Sequence, residues 1–185
     1  MKLKTLASLF KQSKHLTVHK ADDGGQWISC GGAMYLINGI PNLTPDIVLR
    51  IFDIPPDKRG DWNLREDKMP ELINFEDSVA DEYEVTHLET KIHWHGKTYL
   101  LFHDGGQINS VNIDLVKPLF DDPEYLSYHR RDNGKGGFVL ACKSGLQLVA
   151  VILPTLIHAD PAHADEIFQI ADCYRHMSEE GGSTP

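Results

Sequence analysis

The chain has 185 residues, 41% hydrophobic and 24% charged, with 27 acidic against 18 basic side chains for a net charge of −9. Such a composition can bury a core without staples and excludes a wholly disordered chain. A balance this acidic disfavours a free-standing nucleic-acid binder, which gains affinity by setting Lys and Arg against phosphates.

Leu3, Leu6, Leu9 and Phe10 fall at helical spacing, with Lys2, Lys4, Lys11 and Lys14 elsewhere, so the chain is expected to open with an amphipathic helix. His15 to Lys20 alternates Leu16 and Val18 with polar neighbours, and Asp22-Asp23-Gly24-Gly25 turns it into Gln26 to Cys30. Gly31-Gly32 leads to Ala33 to Ile37, which completes an antiparallel meander. Thr44-Pro45-Asp46 is a helix start, because Thr44 caps a free N–H and Pro45 has none to leave unsatisfied. Ile47, Val48, Ile51 and Phe52 give that helix an apolar face, and Pro55-Pro56 stops it.

From Asp57 to Asp81 the pattern weakens into a long connector with room for one short strand. Glu89 to His103 reads as a hairpin turning at Gly96-Lys97, with Ile92, Trp94, Tyr99 and Leu101 on one face. Gly105-Gly106 breaks it, a strand follows at Gln107 to Val111, and a helix is expected around Asn112 to Phe120. Asp160-Pro161 caps a last helix over 160–178, with Ala164, Ile167, Phe168, Ala171 and Tyr174 on its packing face, before a disordered tail over 179–185.

Two blocks of the sequence run in step. Leu9-Phe10 matches Leu119-Phe120, Leu16-Thr17-Val18-His19 matches Leu126-Ser127-Tyr128-His129, and Ile28-Ser29-Cys30 matches Leu140-Ala141-Cys142, with a glycine turn and an apolar strand after each. A repeated unit with one open apolar face is covered by its twin. The expectation is one α+β domain over 1–178, made of repeats 2–40 and 107–155, connector 41–106 and the C-terminal helix.

The longest apolar run, Leu146 to Ile157, is interrupted by Gln147, Pro154 and Thr155, and the N-terminus lacks a signal-like pattern, so cytoplasmic residence is expected. Cys30, Cys142 and Cys173 form no CxxC pair and read as buried reduced thiols. Asp132-Asn133-Gly134-Lys135-Gly136-Gly137 has the glycines of a phosphate loop but lies between strands, where it makes a hairpin turn. His93 and His95 point the same way on a strand, yet no third metal ligand is fixed beside them. No nucleophile elbow, zinc-protease or Walker sequence occurs, so the chain is expected to be no enzyme and to carry no catalytic residue, metal or cofactor.

What remains is charge. From Glu71 to Thr90 there are seven carboxylates and no Lys or Arg. Glu76, Asp77, Asp81, Glu82 and Glu84 are the first candidate contact residues, and Asp121, Asp122 and Glu124 form a second patch. A negative surface of this kind suits a positively charged cleft, where complementary potential speeds encounter. Trp62 and Tyr83, in or beside the acidic segment, are the aromatic candidates, whereas Trp27 and Tyr35 fall inside the first meander and are expected in the core.

The order strand, helix, strand, strand, strand over Gln107 to Leu153, with the closing Val149-Ala150-Val151-Ile152-Leu153-Pro154, resembles one half of a sliding-clamp domain. In that family two halves form a domain with helices toward DNA. The departure is charge, since Asp114, Asp121 and Asp122 accompany only Lys117 where a ring needs cations. The runs Trp27 to Thr44 and Gly145 to Pro154 are also similar to small proteins of gut Firmicutes and their mobile elements, a group resembling a type II anti-CRISPR. That resemblance implies binding to guide-loaded Cas9 and interference with target-DNA recognition, without catalysis. The alternative is a clamp-like, DNA-associated factor of a phage or mobile element.

Overall fold

The computed structural model describes residues 1–104, 107–120, 125–134 and 136–155. The C-terminal helix expected over 160–178, the tail, Cys173 and the Gly105-Gly106 break lie outside the described residues.

Helix α1 (Leu3–Ser13) buries Leu6, Ala7 and Phe10, while Leu3 stays exposed. It ends at Lys14, whose left-handed backbone (φ 50°) lets its N–H reach the Phe10 carbonyl. Strands β1 (His15–Lys20), β2 (Gln26–Cys30) and β3 (Ala33–Leu36) then form the antiparallel meander that their alternation predicts. Helix α2 (Pro45–Ile51) starts at Thr44, whose hydroxyl accepts from the Ile47 N–H at 3.3 Å. A 3-10 turn at Pro56–Asp61 leads to β4 (Asn63–Lys68), which lies parallel to β1.

The connector over 69–82 ends in the two-residue strand β5 (Tyr83–Glu84), and β6 (Thr86–Trp94), β7 (Lys97–Asp104) and β8 (Gln107–Asn112) make a separate antiparallel sheet. The β6–β7 turn differs from the expected one. Trp94 pairs with Lys97, so the turn is His95-Gly96, with φ of 47° and 72°. Positive φ at both central residues matches the twist of the flanking strands, which the sequence alone did not require at a histidine.

The helix expected over Asn112 to Phe120 is shorter. Asn112 caps α3 (Ile113–Val116), and the chain tightens into a 3-10 turn at Lys117–Leu119. Pro118 explains the break: it has no N–H for an α-helical bond and its ring crowds the preceding turn. Strands β9 (Leu126–Asp132), β10 (Phe138–Ser144) and β11 (Gln147–Ile152) complete the described residues.

The molecule is mixed α+β and rich in sheet. Among the described residues the larger sheet has eight strands in the order β4-β1-β2-β3-β11-β10-β9-β5, and the smaller has β6-β7-β8. Strands β3 and β11 meet antiparallel at the centre, Tyr35 opposite Ala150 and Ala33 opposite Ile152. One face of the large sheet, including Leu16, Ile28, Tyr35 and Leu140, packs beneath α1, α2, α3 and the inner side of the small sheet. Tyr35 is fully buried, and its hydroxyl donates to the Leu115 carbonyl at 2.7 Å. Trp27 is buried too, on the opposite face.

Phe10 joins α1 to this core, its ring 6.4 Å from Tyr35 and 5.6 Å from Phe52. Phe10→Ala is therefore expected to cost about 3–5 kcal/mol. Urea unfolding should show a lower midpoint at an unchanged slope.

Candidate functional site

The second face of the large sheet would be half open without the connector. Trp27, Met34, Val139, Ala141, Leu148 and Val151 form a smaller apolar cluster there, and Met69, Ile73 and Phe75 of the connector cover it. Phe75 meets Trp27 edge to face, with ring centroids 5.0 Å apart. Farther along, Pro70, Leu72, Ile73 and Leu153 line an open, largely apolar hollow with Glu71 and Asn133.

The same face carries two cations that period-two alternation turns away from the main core. Arg131 on β9 and Lys143 on β10 are 2% and 7% exposed, and Glu82 at 9% lies between them. Arg131 Nε donates to Glu82 Oε2 at 2.6 Å, and Lys143 Nζ donates to Glu82 Oε1. The rest of the Arg131 fork holds backbone. Nη1 donates to the carbonyls of Asn74 and Glu76 at 2.9 and 2.7 Å, and Nη2 to that of Asp77 at 3.3 Å. A rigid planar donor set thus fixes three connector residues and one carboxylate at once. Asp77 adds a further tie, its carboxylate accepting from the Leu148 N–H at 2.8 Å.

Burial pushes the Glu82 carboxyl upward, but hydrogen bonds from Lys143 and Arg131 and their charges outweigh it, leaving the group below the usual carboxylate range. Glu82 is therefore ionised inside the fold.

This geometry divides the predicted contact residues. Glu76, Asp81 and Glu84 are exposed, and so is Tyr83, at 47%. Glu82 is turned inward against Arg131 and Lys143, which corrects its reading as an outward charge. Asp77 lies at the surface with its carboxylate engaged by Leu148. Trp62 is half-buried against the main core, because the 3-10 turn before it delivers its ring to that cluster. Asp121, Asp122 and Glu124 lie outside the described residues. Beside β5 the Arg130 guanidinium sits 4.4 Å from the Phe138 ring and 6.0 Å from the Tyr83 ring, a cation–π arrangement at the rim.

The sequence reading missed Arg131 and Lys143. A signal was present in each: Lys143 closes the apolar run Phe138 to Cys142, and Arg131 shares the alternation of Ser127 and His129. A cation inside a strand that is otherwise buried needs a partner, and the acidic segment was the available source.

The histidines and cysteines singled out in the sequence have defined surroundings. His93 faces Thr98 across the hairpin and exchanges a 3.0 Å bond with its hydroxyl, while His95 is in the turn. Among the described residues no group of three His, Cys, Asp or Glu side chains could hold a metal ion. His19 Nδ1 donates to the Lys68 carbonyl at 2.9 Å, which leaves Nε2 to accept from the Ser29 hydroxyl at 2.8 Å. Three polar groups are thereby satisfied and β4 is tied to β1 and β2. Cys30 and Cys142 are free and buried, and burial raises the Cys30 thiol to about 12 and the Cys142 thiol well above its ordinary value.

Comparison with protein-family models, with curated proteins and with solved structures finds no match. Among the described residues no helix is long and apolar enough to cross a membrane.

Glu82→Gln removes the carboxylate that both buried cations touch, and is expected to cost about 3–5 kcal/mol. The acid limb of wild-type unfolding should share this origin. A carboxyl lowered in the fold contributes fully above its ordinary value of 4.5, and that contribution is lost as pH falls through the lowered value. Chemical denaturation from pH 7 to pH 3 should show a steeper acid loss for wild type than for Glu82→Gln.

Proposed function

We propose that this chain is a non-enzymatic protein-binding module that offers its connector as a fixed acidic surface to a basic partner. Guide-loaded Cas9, the target implied by the sequence resemblance, is the partner to test first. The observation that carries the reading is the Arg131 fork, which sets the connector in one conformation before any partner arrives. A surface ordered in advance loses little entropy on binding. Glu76, Asp81 and Glu84 then act as exposed charges, with Tyr83 as an amphipathic anchor beside them. Cas9 holds nucleic acid in a positively charged channel and reads its short recognition motif with arginines, chemistry that carboxylates can engage.

Tagged protein should retain Cas9 in a pull-down only when guide RNA is present, and the complex should lose DNA binding. Reversing Glu76, Asp81 and Glu84 together to Lys should abolish retention while the thermal midpoint holds. Full inhibition by that triple variant would remove the mechanism.

One observation favours the second reading, a clamp-like factor. The two meanders occupy mirrored places in the strand order about the β3–β11 pair. Their internal registers differ from the sequence match: Val18 pairs with Ile28 and His19 with Trp27, whereas Tyr128 pairs with Cys142 rather than Leu140, and His129 with Ala141. The mirrored strand order is what supports an internal duplication. By these registers Cys142 corresponds to Ile28, two residues from the match that the sequence suggested. A ring needs several copies, so a monomer in sedimentation together with no retention on DNA would eliminate this reading.

A further inference from the structure

The small sheet has two faces, and one of them packs on the large sheet: Leu100, Phe102 and Val111 join its core. Their neighbours point the other way. Ile92 pairs with Tyr99 and Leu101 with Ser110, and cross-strand partners share a face. Leu101 is 2% exposed and Tyr99 7%, yet neither belongs to the two apolar clusters of the described residues. Strand β6 shows the same sidedness. Leu88, Thr90, Ile92 and Trp94 are half-buried, whereas Glu89, Lys91 and His93 between them are exposed. Two polar atoms, Thr90 Oγ1 and His103 Nε2, are buried with no hydrogen-bond partner, the mark of a strip closed off from water.

A buried apolar face needs a cover, and the path of the chain supplies one. Thr155, where the described residues end, pairs with Ser110 on β8, the border strand of the small sheet. Its N–H donates to the Ser110 carbonyl at 2.8 Å, and its carbonyl accepts from the Ser110 hydroxyl at 2.6 Å. Because the Ser110 side chain shares the face of Leu101, that hydroxyl brings the chain out on the outer side. Residues 156–185 follow, and within them Ala164, Ile167, Phe168, Ala171 and Tyr174 recur at helical spacing. We propose that residues 160–178 dock as an amphipathic helix along the outer face of β6, β7 and β8, with Ile167 and Phe168 set against Tyr99 and Leu101. The sizes agree. A helix over 160–178 is about 28 Å long at about 1.5 Å per residue, and the eight residues of β7 span about 27 Å. Three strands spaced by about 4.8 Å give a strip about 10 Å wide, the diameter of one helix. Residues 156–159 allow the turn from the border of β8 onto its face.

The chain carries its own probe. Cys30 and Cys142 are 2% and 0% exposed, so a thiol-reactive nitroxide goes to Cys173, which at helical spacing falls opposite the apolar stripe. In amide NMR spectra of the full chain so labelled, Tyr99, Leu101 and Ser110 should lose most of their signal relative to the chemically reduced label, while the residues of β4 keep theirs. The double variant Ile167→Asp, Phe168→Asp should restore the lost signals with those of β1 and β2 unmoved. Undiminished signals on β7 and β8 in the wild type overturn the proposal, and so does a loss that persists in the double variant. A mixture of spin-labelled chains with unlabelled, nitrogen-15-enriched chains tests the other occupant: signal loss there assigns the cover to a second copy and overturns the intramolecular docking, and unchanged signals support it. Should the double variant not fold, the wild-type pattern decides, since loss centred on the small sheet supports the docking and any other distribution overturns it. No partner enters these measurements, so their outcome is separate from the Cas9 pull-down.

Discussion

A single guanidinium determines what kind of surface this protein has. Seven carboxylates in a stretch without a basic residue repel one another, and a segment left to that repulsion extends into solvent. Arg131 prevents this by donating to Glu82 and to three backbone carbonyls of the connector. The arrangement is expensive to assemble and costly to break, because desolvating two cations and a carboxylate is repaid only when their hydrogen bonds are complete. With those bonds in place, the connector also becomes a lid over six buried apolar residues of the sheet. Charge and packing are thus coupled, and disturbing one disturbs the other.

That coupling changes how the acidity should be understood. A count of carboxylates treats each as equivalent, whereas Glu82 is spent inward, Asp77 caps a backbone N–H, and Glu76, Asp81 and Glu84 face solvent. The exposed three are held at fixed places because the other two are occupied. Under the proposed binding function, preorganisation of this type would limit the range of partners, since a fixed charge pattern rewards only the complementary one.

Much of the framework was legible in the sequence for local reasons. The first meander follows from period-two alternation around glycine turns, and α2 from Thr44-Pro45 and the following prolines. Local rules also misled where two of them competed. At Gly96 the preference for glycine first in a turn suggested Gly96-Lys97, but pairing of Ile92 with Tyr99 and His93 with Thr98 draws the turn back one residue. At Pro118 an apolar spacing suggested helix, and the missing N–H prevailed. The parallel pairing of β4 with β1 leaves no local trace, and the place of Arg131 in its strand signals the need for a partner without naming Glu82, 49 residues away. Both depend on contacts between distant segments, which periodicity does not encode.

The outer borders of the eight-stranded sheet have a bearing on solution behaviour. One border, β4, is exposed along its whole length and carries Arg65, Glu66, Asp67 and Lys68 in succession; the other, β5, is two residues long. Unsatisfied main-chain groups at such rims invite neighbouring molecules to add strands, but a row of four ions must shed its water first and a two-residue stub gives little purchase. The charges of one border and the shortness of the other thus oppose edge-to-edge growth of the wide sheet.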